Sequence, residues 1–428
     1  MRYEPLSATF HTTNRHKLSE AIGLEAIAII DTADILSRPG DFEHPFRPNS
    51  NFYYLTGVDE PKAVLVLAPG HSNGHLHEIL FIQETNEHMA LWAGKSLTQA
   101  EASGRSGIRS VMWLSELDQI LGRMLESFRT VYSNAETPLE PGPLDPSGRR
   151  LAELRLRLPM HTFHPAAAIL GKFRAVKSPE EIAQIRRAIT ITGKGLGKAW
   201  AAIQPGLPEY ALEAELTAEF TRQGATGSAF SAIIAAGKNA TIIHYAAADT
   251  SVQSGELILF DVGAEVGYYA ADISRCVPVS GEFSIRQRAV YEAVFRTQQA
   301  GIALHKPGAT ILGIDETMRK LLIAELVGLG ELTTKQAHSP EAGQHLRKYY
   351  AHISHHLGLD VHDTEGPRTP FVPGMVVTCE PGLYLQAEGI GVRLEDDILI
   401  TSTGHEVLSK AIPSAPEEVE VAIRQIST

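Results

Sequence analysis

The stretch ELILFDVGAEVGYYAADISRCVPV, residues 256–279, decides how the second half of the chain is read. Two apolar runs of strand length, LILF before Asp261 and ISRCVPV after Asp272, flank a glycine-containing middle. This reads as two strands joined by a turn. Each run carries an acid at its inner end, where a carboxylate is costly unless it is paired or bound to metal. The pattern returns further on: MVVTCEPGLYL puts Glu380 behind VVTC, and GVRLEDDILIT puts Glu395 before DDILI. His355 lies between, in SHHLGLDVHD.

Taken singly, these acids admit blander readings. Asp261 before Val-Gly fits a strand-end turn, and Glu395 before two aspartates fits a solvated charge run. The set argues for chemistry. Two carboxylates about 4 Å apart repel by about 4 kcal/mol at an effective dielectric near 20, so four in one pocket need compensating positive charge. Two divalent cations would supply it: four carboxylates and one neutral imidazole against two M²⁺ sum to zero, with room for a bridging hydroxide. Such a pair activates water at neutral pH and polarises a carbonyl. Oxygen-dominated ligation with one histidine suits Mn²⁺, and Co²⁺, Fe²⁺ and Zn²⁺ are compatible with the same donors.

Strand parity sets the two cysteines apart from this group. Cys379 should point away from Glu380, as a core thiol. Cys276, four residues after Asp272, could share its face and is read as structural.

Composition narrows the class. The 428 residues are 43% hydrophobic and 21% charged, the profile of a globular protein long enough for two domains. Fifty acidic against 38 basic residues give a formal charge of −12, which argues against nucleic acid as a partner. Two cysteines make no disulfide framework, MRYEPLSATFHTTNRHKLSEAIG has no apolar h-region, and no apolar run approaches a membrane span. The expected location is the cytoplasm.

Up to residue 172 the chain alternates short strands and helices. AVLVLAP (63–69) and EILFIQ (78–83) read as strands, with His71, His75 and His77 solvated at the tip between them. SELDQILGRMLESF (115–128) reads as a helix with Leu117, Ile120, Leu121 and Met124 on one face. Ser178 and Glu181 form a capping box with Pro179 at the first helical position, so a long helix begins at 179. The expected domains are residues 1–172 and 178–428, the first α/β and the second α+β, where helices such as ELTAEFTRQGA, IRQRAVYEAVFRTQQAGIAL and ILGIDETMRKLLIAELVGLG flank antiparallel hairpins.

The stretches ILFDVGAEVGYYAADISR, SHHLGLDVHD, TCEPGLYL and GIGVRLEDDILIT resemble the pita-bread metallopeptidases, and among them the bacterial Xaa-Pro aminopeptidases, or aminopeptidase P family. FRPNSNFYYLTGVDEPKAVLVL (46–67) and LWAGKSL (91–97) resemble that family's smaller N-terminal domain, which methionine aminopeptidases lack. The resemblance implies a creatinase/aminopeptidase-like catalytic domain holding two metal ions. Asp261 would bind one metal, Asp272 and Glu395 would bridge both, and His355 and Glu380 would complete the other shell. Glu380 would also pass a proton to the leaving nitrogen.

By the same resemblance His244, in IIHYAAAD, and His362 would face the substrate carbonyl, and Arg393 would balance the carboxylates. From the residues alone, His244 fits a core histidine and His362 a loop partner of Asp363. Asp41 and Trp92 match residues that in the family lie near a neighbouring subunit's active site, which implies a homo-oligomer, a dimer or tetramer.

Two positions depart from the family pattern, and the loop after His362 is short. His352 stands three residues before His355, where the family places a histidine four before. Phe230 occupies the place of a frequent tyrosine, which would remove a hydroxyl and slow the reaction. Arg368 is the one arginine in the short loop DTEGPRTPFVPGM that could serve the proline pocket.

The implied substrate is a peptide with proline second. An amide to proline has no N–H and a fixed φ, so a site must grip the amine, carbonyl and ring instead. A prolidase limited to Xaa-Pro dipeptides would share all five ligands. A non-catalytic pita-bread peptide-binding module, or a metal-free creatinase-like hydrolase, is disfavoured by their presence.

Overall fold

The computed structural model describes residues 3–84, 90–92, 94–135, 144–350 and 354–426. The chain divides into two compact units: Pro5–Arg174, and the chain from Ala175 onward together with Tyr3 and Glu4. No helix among the described residues is long and apolar enough to cross a membrane.

The first unit is built on a mixed six-stranded sheet. Its strands are β1 (Ala26–Asp31), β2 (Val64–Leu67), β3 (Glu78–Ile82), β4 (Ser110–Trp113), β5 (Thr130–Ser133) and β6 (Thr162–Pro165), in the order β4-β3-β2-β1-β5-β6. The β1–β2 and β2–β3 pairs are antiparallel, and the outer pairs are parallel. Alternate residues Ile27, Ile29, Val64, Val66, Ile79 and Phe81 form one apolar face. The helix Leu117–Ser127 lies on it through Leu117, Leu121, Met124 and Leu125, with Ile120 half-buried at the margin. Between β2 and β3, His71, His75 and His77 stand at the surface; the His77 ring bonds the His71 carbonyl at 2.8 Å.

The second unit opens with the helix Pro179–Ala201. Ser178 Oγ accepts from the Glu181 N–H at 3.3 Å, and Glu181 Oε2 accepts from the Ser178 N–H at 2.7 Å, so the capping box closes. Its buried face, with Ile185, Ala188, Ile189, Leu196 and Ala199, repeats at helical spacing. The helices Glu209–Arg222, Ile285–Ile302 and Ile311–Gly328 follow.

Residues 256–279 differ from the two-strand reading. They form four strands: β9 (Leu257–Val262), β10 (Ala264–Val266), β11 (Tyr269–Ala270) and β12 (Ile273–Pro278). β9 pairs with β12 and with β8 (Ile233–Ala236), while β10 pairs with β11 and with β7 (Gly227–Ser228) in a separate sheet. The hairpin is one ladder interrupted at Gly263 and Ala271–Asp272. A Cβ at Gly263 would lie 1.8 Å from the Ala271 carbonyl oxygen, so only glycine permits the crossing there.

A second interrupted hairpin repeats the arrangement. β13 (Val376–Cys379) and β16 (Asp396–Ile400) pair in one sheet, with β17 (His405–Val407) at its edge; β14 (Gly382–Leu385) and β15 (Ile390–Arg393) pair in another. The breaks fall at Glu380–Pro381 and Leu394–Glu395. Gly391 allows the 3₁₀ segment Gly237–Thr241 close to β15, since a Cβ there would meet the Ala240 carbonyl oxygen at 1.9 Å. The two hairpins join through the Glu395 N–H, which donates to the Ser274 carbonyl at 3.1 Å.

Candidate metal centre

Acids stand at or beside the break in each hairpin: Asp272 at one, with Asp261 two residues before Gly263 near the end of β9, and Glu380 and Glu395 at the other. His355 is brought to them by a short segment alongside β13, where its carbonyl accepts from the Thr378 N–H at 2.9 Å and its N–H donates to Thr378 Oγ1 at 3.1 Å. His355 Nε2 lies 3.3 Å from Asp272 Oδ2, 3.5 Å from Glu380 Oε1 and 4.0 Å from Glu395 Oε1. Asp272, His355 and Glu395 each offer one ligand atom within 4.8 Å of the others.

Hydrogen bonds orient these groups. His355 Nδ1 lies 3.0 Å from the His356 carbonyl, to which it can only donate, so its Nε2 lone pair faces the acids. Arg393 spreads its guanidinium over three partners: Asp261 Oδ2 at 2.5 Å, Ser274 Oγ at 2.9 Å and the Tyr384 hydroxyl at 2.9 Å. Ser274 in turn donates to Glu395 Oε2 at 2.8 Å. One arginine thus ties an acid from each hairpin.

One arginine does not neutralise four carboxylates. Burial first, then Glu395, Asp261 and Glu380, push Asp272 well above the ordinary carboxylate range. Burial, Glu380 and Asp261 do the same to Glu395, against the pull of Arg393 and Ser274. Burial opposes the charge on Arg393, yet Tyr384, Asp261, Glu395 and Glu380 raise its pKa well above the usual value.

Asp261 Oδ1 and Glu395 Oε1 are buried with no hydrogen-bond partner among the described residues. Leaving such atoms bare costs about 1–3 kcal/mol each, more for charged groups. Hard oxygen donors short of positive charge, with one oriented imidazole, fit divalent cations.

The five residues line a cavity of about 900 Å³ in the second unit, together with Phe230, His244, His362, Arg393 and Tyr384. His244 is exposed to this cavity and not a core histidine. The His362 ring lies 4.3 Å from that of His355, while Asp363 pairs with Lys177 at 3.1 Å, both side chains 1% exposed. Phe230 is half-buried in the wall.

Arg368 is exposed, and its neighbour Pro367 forms part of the lining. Asp41 and Trp92 belong to the first unit and are exposed, Trp92 at 78%. His352 lies outside the described residues.

The blander alternative for Glu395, a solvated charge run with Asp396 and Asp397, does not hold, since all three are buried. Arg275, fully buried, donates to Asp396 Oδ1 at 2.7 Å and to the carbonyls of Ser274, Glu395, Ile412 and Pro413. Cys276 and Cys379 are fully buried, and burial pushes the Cys276 thiol up to about 12. Ser274, Tyr384 and the Lys177–Asp363 pair were missed from the sequence. For Ser274 a signal existed: on β12 it lies directly across from Asp261.

The chain belongs to metallopeptidase family M24, whose model matches residues 183–402. The aminopeptidase P N-terminal domain model matches residues 11–132. The chain is 35% identical to the Xaa-Pro aminopeptidase of Escherichia coli K12 over 95% of each chain. It is 30% identical to human Xaa-Pro aminopeptidase 3, covering 99% of this chain and 87% of that one. It is also similar to the structures of E. coli aminopeptidase P with the inhibitor Pro-Leu (TM-score 0.91, 33% identity, 99% of each chain) and of the Zn-substituted enzyme in complex with product (TM-score 0.90, 33% identity, 99% of this chain and 100% of that one).

Proposed function

We infer that this protein is a metal-dependent Xaa-Pro aminopeptidase, removing the N-terminal residue from peptides with proline in second position. The observation that carries the reading is the meeting of Asp261, Asp272, Glu380 and Glu395 with the oriented Nε2 of His355 in one cavity of peptide-binding size. The E. coli relatives share the same two-domain span.

Asp261, Asp272, His355, Glu380 and Glu395 would hold two divalent ions, Mn²⁺ by preference, with Co²⁺, Fe²⁺ and Zn²⁺ as alternatives. When bound, these ions keep the carboxylates ionised, activate water and polarise the scissile carbonyl. The protein's own groups do the rest. His244 and His362 hold the carbonyl and meet the charge that develops on its oxygen. Glu380, at the rim of the cluster, takes a proton and delivers it to the proline nitrogen, which leaves as an amine. Arg393 keeps Asp261 ionised and, through Ser274, fixes Glu395. The apolar wall at Phe230 and Ile233 receives the proline ring, which offers no N–H to grip.

The protein acts in the cytoplasm as a homo-oligomer, dimer or tetramer. Exposed Leu36, Phe42, Leu91 and Trp92 of the first unit offer apolar surface to a second copy. Sedimentation would read the assembly; a monomer at micromolar concentration would contradict it.

The deciding experiment supplies Mn²⁺ and compares an Xaa-Pro-Xaa tripeptide with an Xaa-Pro dipeptide. Release of the first residue from the tripeptide is expected. Cleavage of the dipeptide alone would make the protein a prolidase.

A further inference from the structure

Glu209 is a carboxylate that the reaction does not use, yet it is fully buried. It stands at the first position of the helix Glu209–Arg222, and all its partners are neutral donors. Oε1 accepts from the Ala236 N–H at 2.7 Å and from Asn239 Nδ2 at 3.1 Å. Oε2 accepts from the Tyr245 hydroxyl at 2.8 Å and from the Thr250 N–H at 3.2 Å. Asn239 Nδ2 also reaches the Tyr245 hydroxyl and Thr250 Oγ1, each at 3.0 Å.

Every one of these donors lies in the segment that leaves β8, passes His244 and returns toward β9. The backbone of the same helix start holds the far side of the segment: the Glu209 N–H donates to the Thr250 carbonyl at 2.9 Å, and the Tyr210 N–H to the Ala248 carbonyl at 2.8 Å. Ala248 is held at φ +48°, a left-handed conformation that costs a non-glycine residue about 1–2 kcal/mol and persists only where its surroundings impose it.

Tyr245 is the next residue after His244 and, like it, lines the cavity, but its hydroxyl points back to Glu209. His244 itself is exposed. Its direction is therefore set by its neighbour. Burial first, with the Glu209 carboxylate adding to it, raises the Tyr245 phenol above its ordinary range, so the hydroxyl stays a donor.

We propose that Tyr245, anchored by the buried Glu209 carboxylate, is the positioning residue that aims His244 at the scissile carbonyl. The proposal rests on the role given above to His244. Tyr245 touches no reacting atom in this scheme. Its contribution is lost only when His244 is present to be misaimed.

A double-mutant cycle on the Mn²⁺-loaded full chain tests this. His244→Ala is expected to lower kcat about a hundredfold, as for the loss of one donor to developing charge. Tyr245→Phe keeps the ring and is expected to lower kcat about tenfold, with KM nearly unchanged and two metals per chain retained. Placed on His244→Ala, Tyr245→Phe should cost less than about twofold. Glu209→Gln, which turns an acceptor into a donor facing other donors, should show the same dependence on His244. Full loss from Tyr245→Phe on the His244→Ala background would overturn the positioning role, and so would a Tyr245→Phe enzyme that keeps its kcat or loses its metal. A His244→Ala enzyme with unchanged kcat would instead remove the role of His244, and the inference with it.

Discussion

Glu395 and Asp396 are adjacent in the chain, both buried, and face opposite problems. Asp396 finds its countercharge within the protein: Arg275 at 2.7 Å, with Ser409 Oγ and Gln298 Nε2 completing its set of donors at 2.5 and 2.9 Å. Glu395 meets a serine hydroxyl on one oxygen and has no hydrogen-bond partner on the other among the described residues, while Glu380 and Asp261 press on it. The side behind the sheet is closed by an arginine whose donors are all engaged. The side in front is left deficient in positive charge. Here the buried carboxylate with its own cation holds the fold together, and the crowded group that lacks one and leaves oxygens bare marks where ions from solution belong.

The sharpest way to break this contrast is to remove each acid in turn. Glu395→Ala should abolish peptidase activity, by more than about a thousandfold, and release metal, as several kcal/mol of electrostatic stabilisation vanish. Asp272→Asn should act alike through its lost bridging charge. Metal analysis of the purified variants checks both, and full turnover with bound metal would end the two-metal reading. Asp396→Ala should instead leave the Arg275 guanidinium buried without its paired carboxylate, destabilising the fold by about 3–5 kcal/mol. Denaturant titration of metal-free protein would register it; a midpoint unchanged from the parent would show that the rear pair is dispensable.

Arg393 tests the boundary between the two sides, since among the described cavity-lining residues it is the arginine that brings permanent charge to the acids. Arg393→Lys keeps the charge but loses the fork that reaches Asp261, Ser274 and Tyr384 together, and should lower metal affinity or activity about 10–100-fold. Competition with a chelator would measure this, and parental affinity would reduce the arginine to a point charge.

Glu181 offers the mildest case, a buried carboxylate with neutral hydrogen-bond donors only. Burial raises its pKa from 4.5 to about 6, although the Ser178 N–H, Lys177 and Tyr269 draw it the other way. Its charged form is thus disfavoured by folding, and its contribution to stability falls as pH rises from 4.5 through 6. Glu181→Gln preserves the capping box and should gain up to about 2 kcal/mol at pH 7 and nothing below pH 4. Thermal melts at the two pH values decide; an equal gain at both would mean the charge is not the cause.

Much of this was legible in the sequence. The capping box at Ser178, the strands that end in acids and the parity that separates Glu380 from Cys379 follow from local rules. The interruption of the hairpin at Gly263 did not, because it depends on a contact with Ala271 that no run of residues displays. The blander alternative for Glu395 and its two aspartates has the same source: three acids in a row look solvated until Arg275 arrives from another strand. Tyr384 and Glu209 were invisible because each acts on a group distant along the chain, and Ser274 showed only its place across from Asp261, not its reach to Glu395. Local spacing announces which residues carry charge, and tertiary pairing decides what the charge is for.

The contacts at Gly263 and Gly391 have a consequence for inheritance. There, main chain lies against main chain, and a single methyl group would displace chain close to Asp272 at one contact and the strand that carries Arg393 at the other. Side chains elsewhere in the wall can change one at a time without moving those strands. A lineage can therefore rewrite most of this protein and keep its reaction, while two positions with no functional group at all remain among the least free to vary.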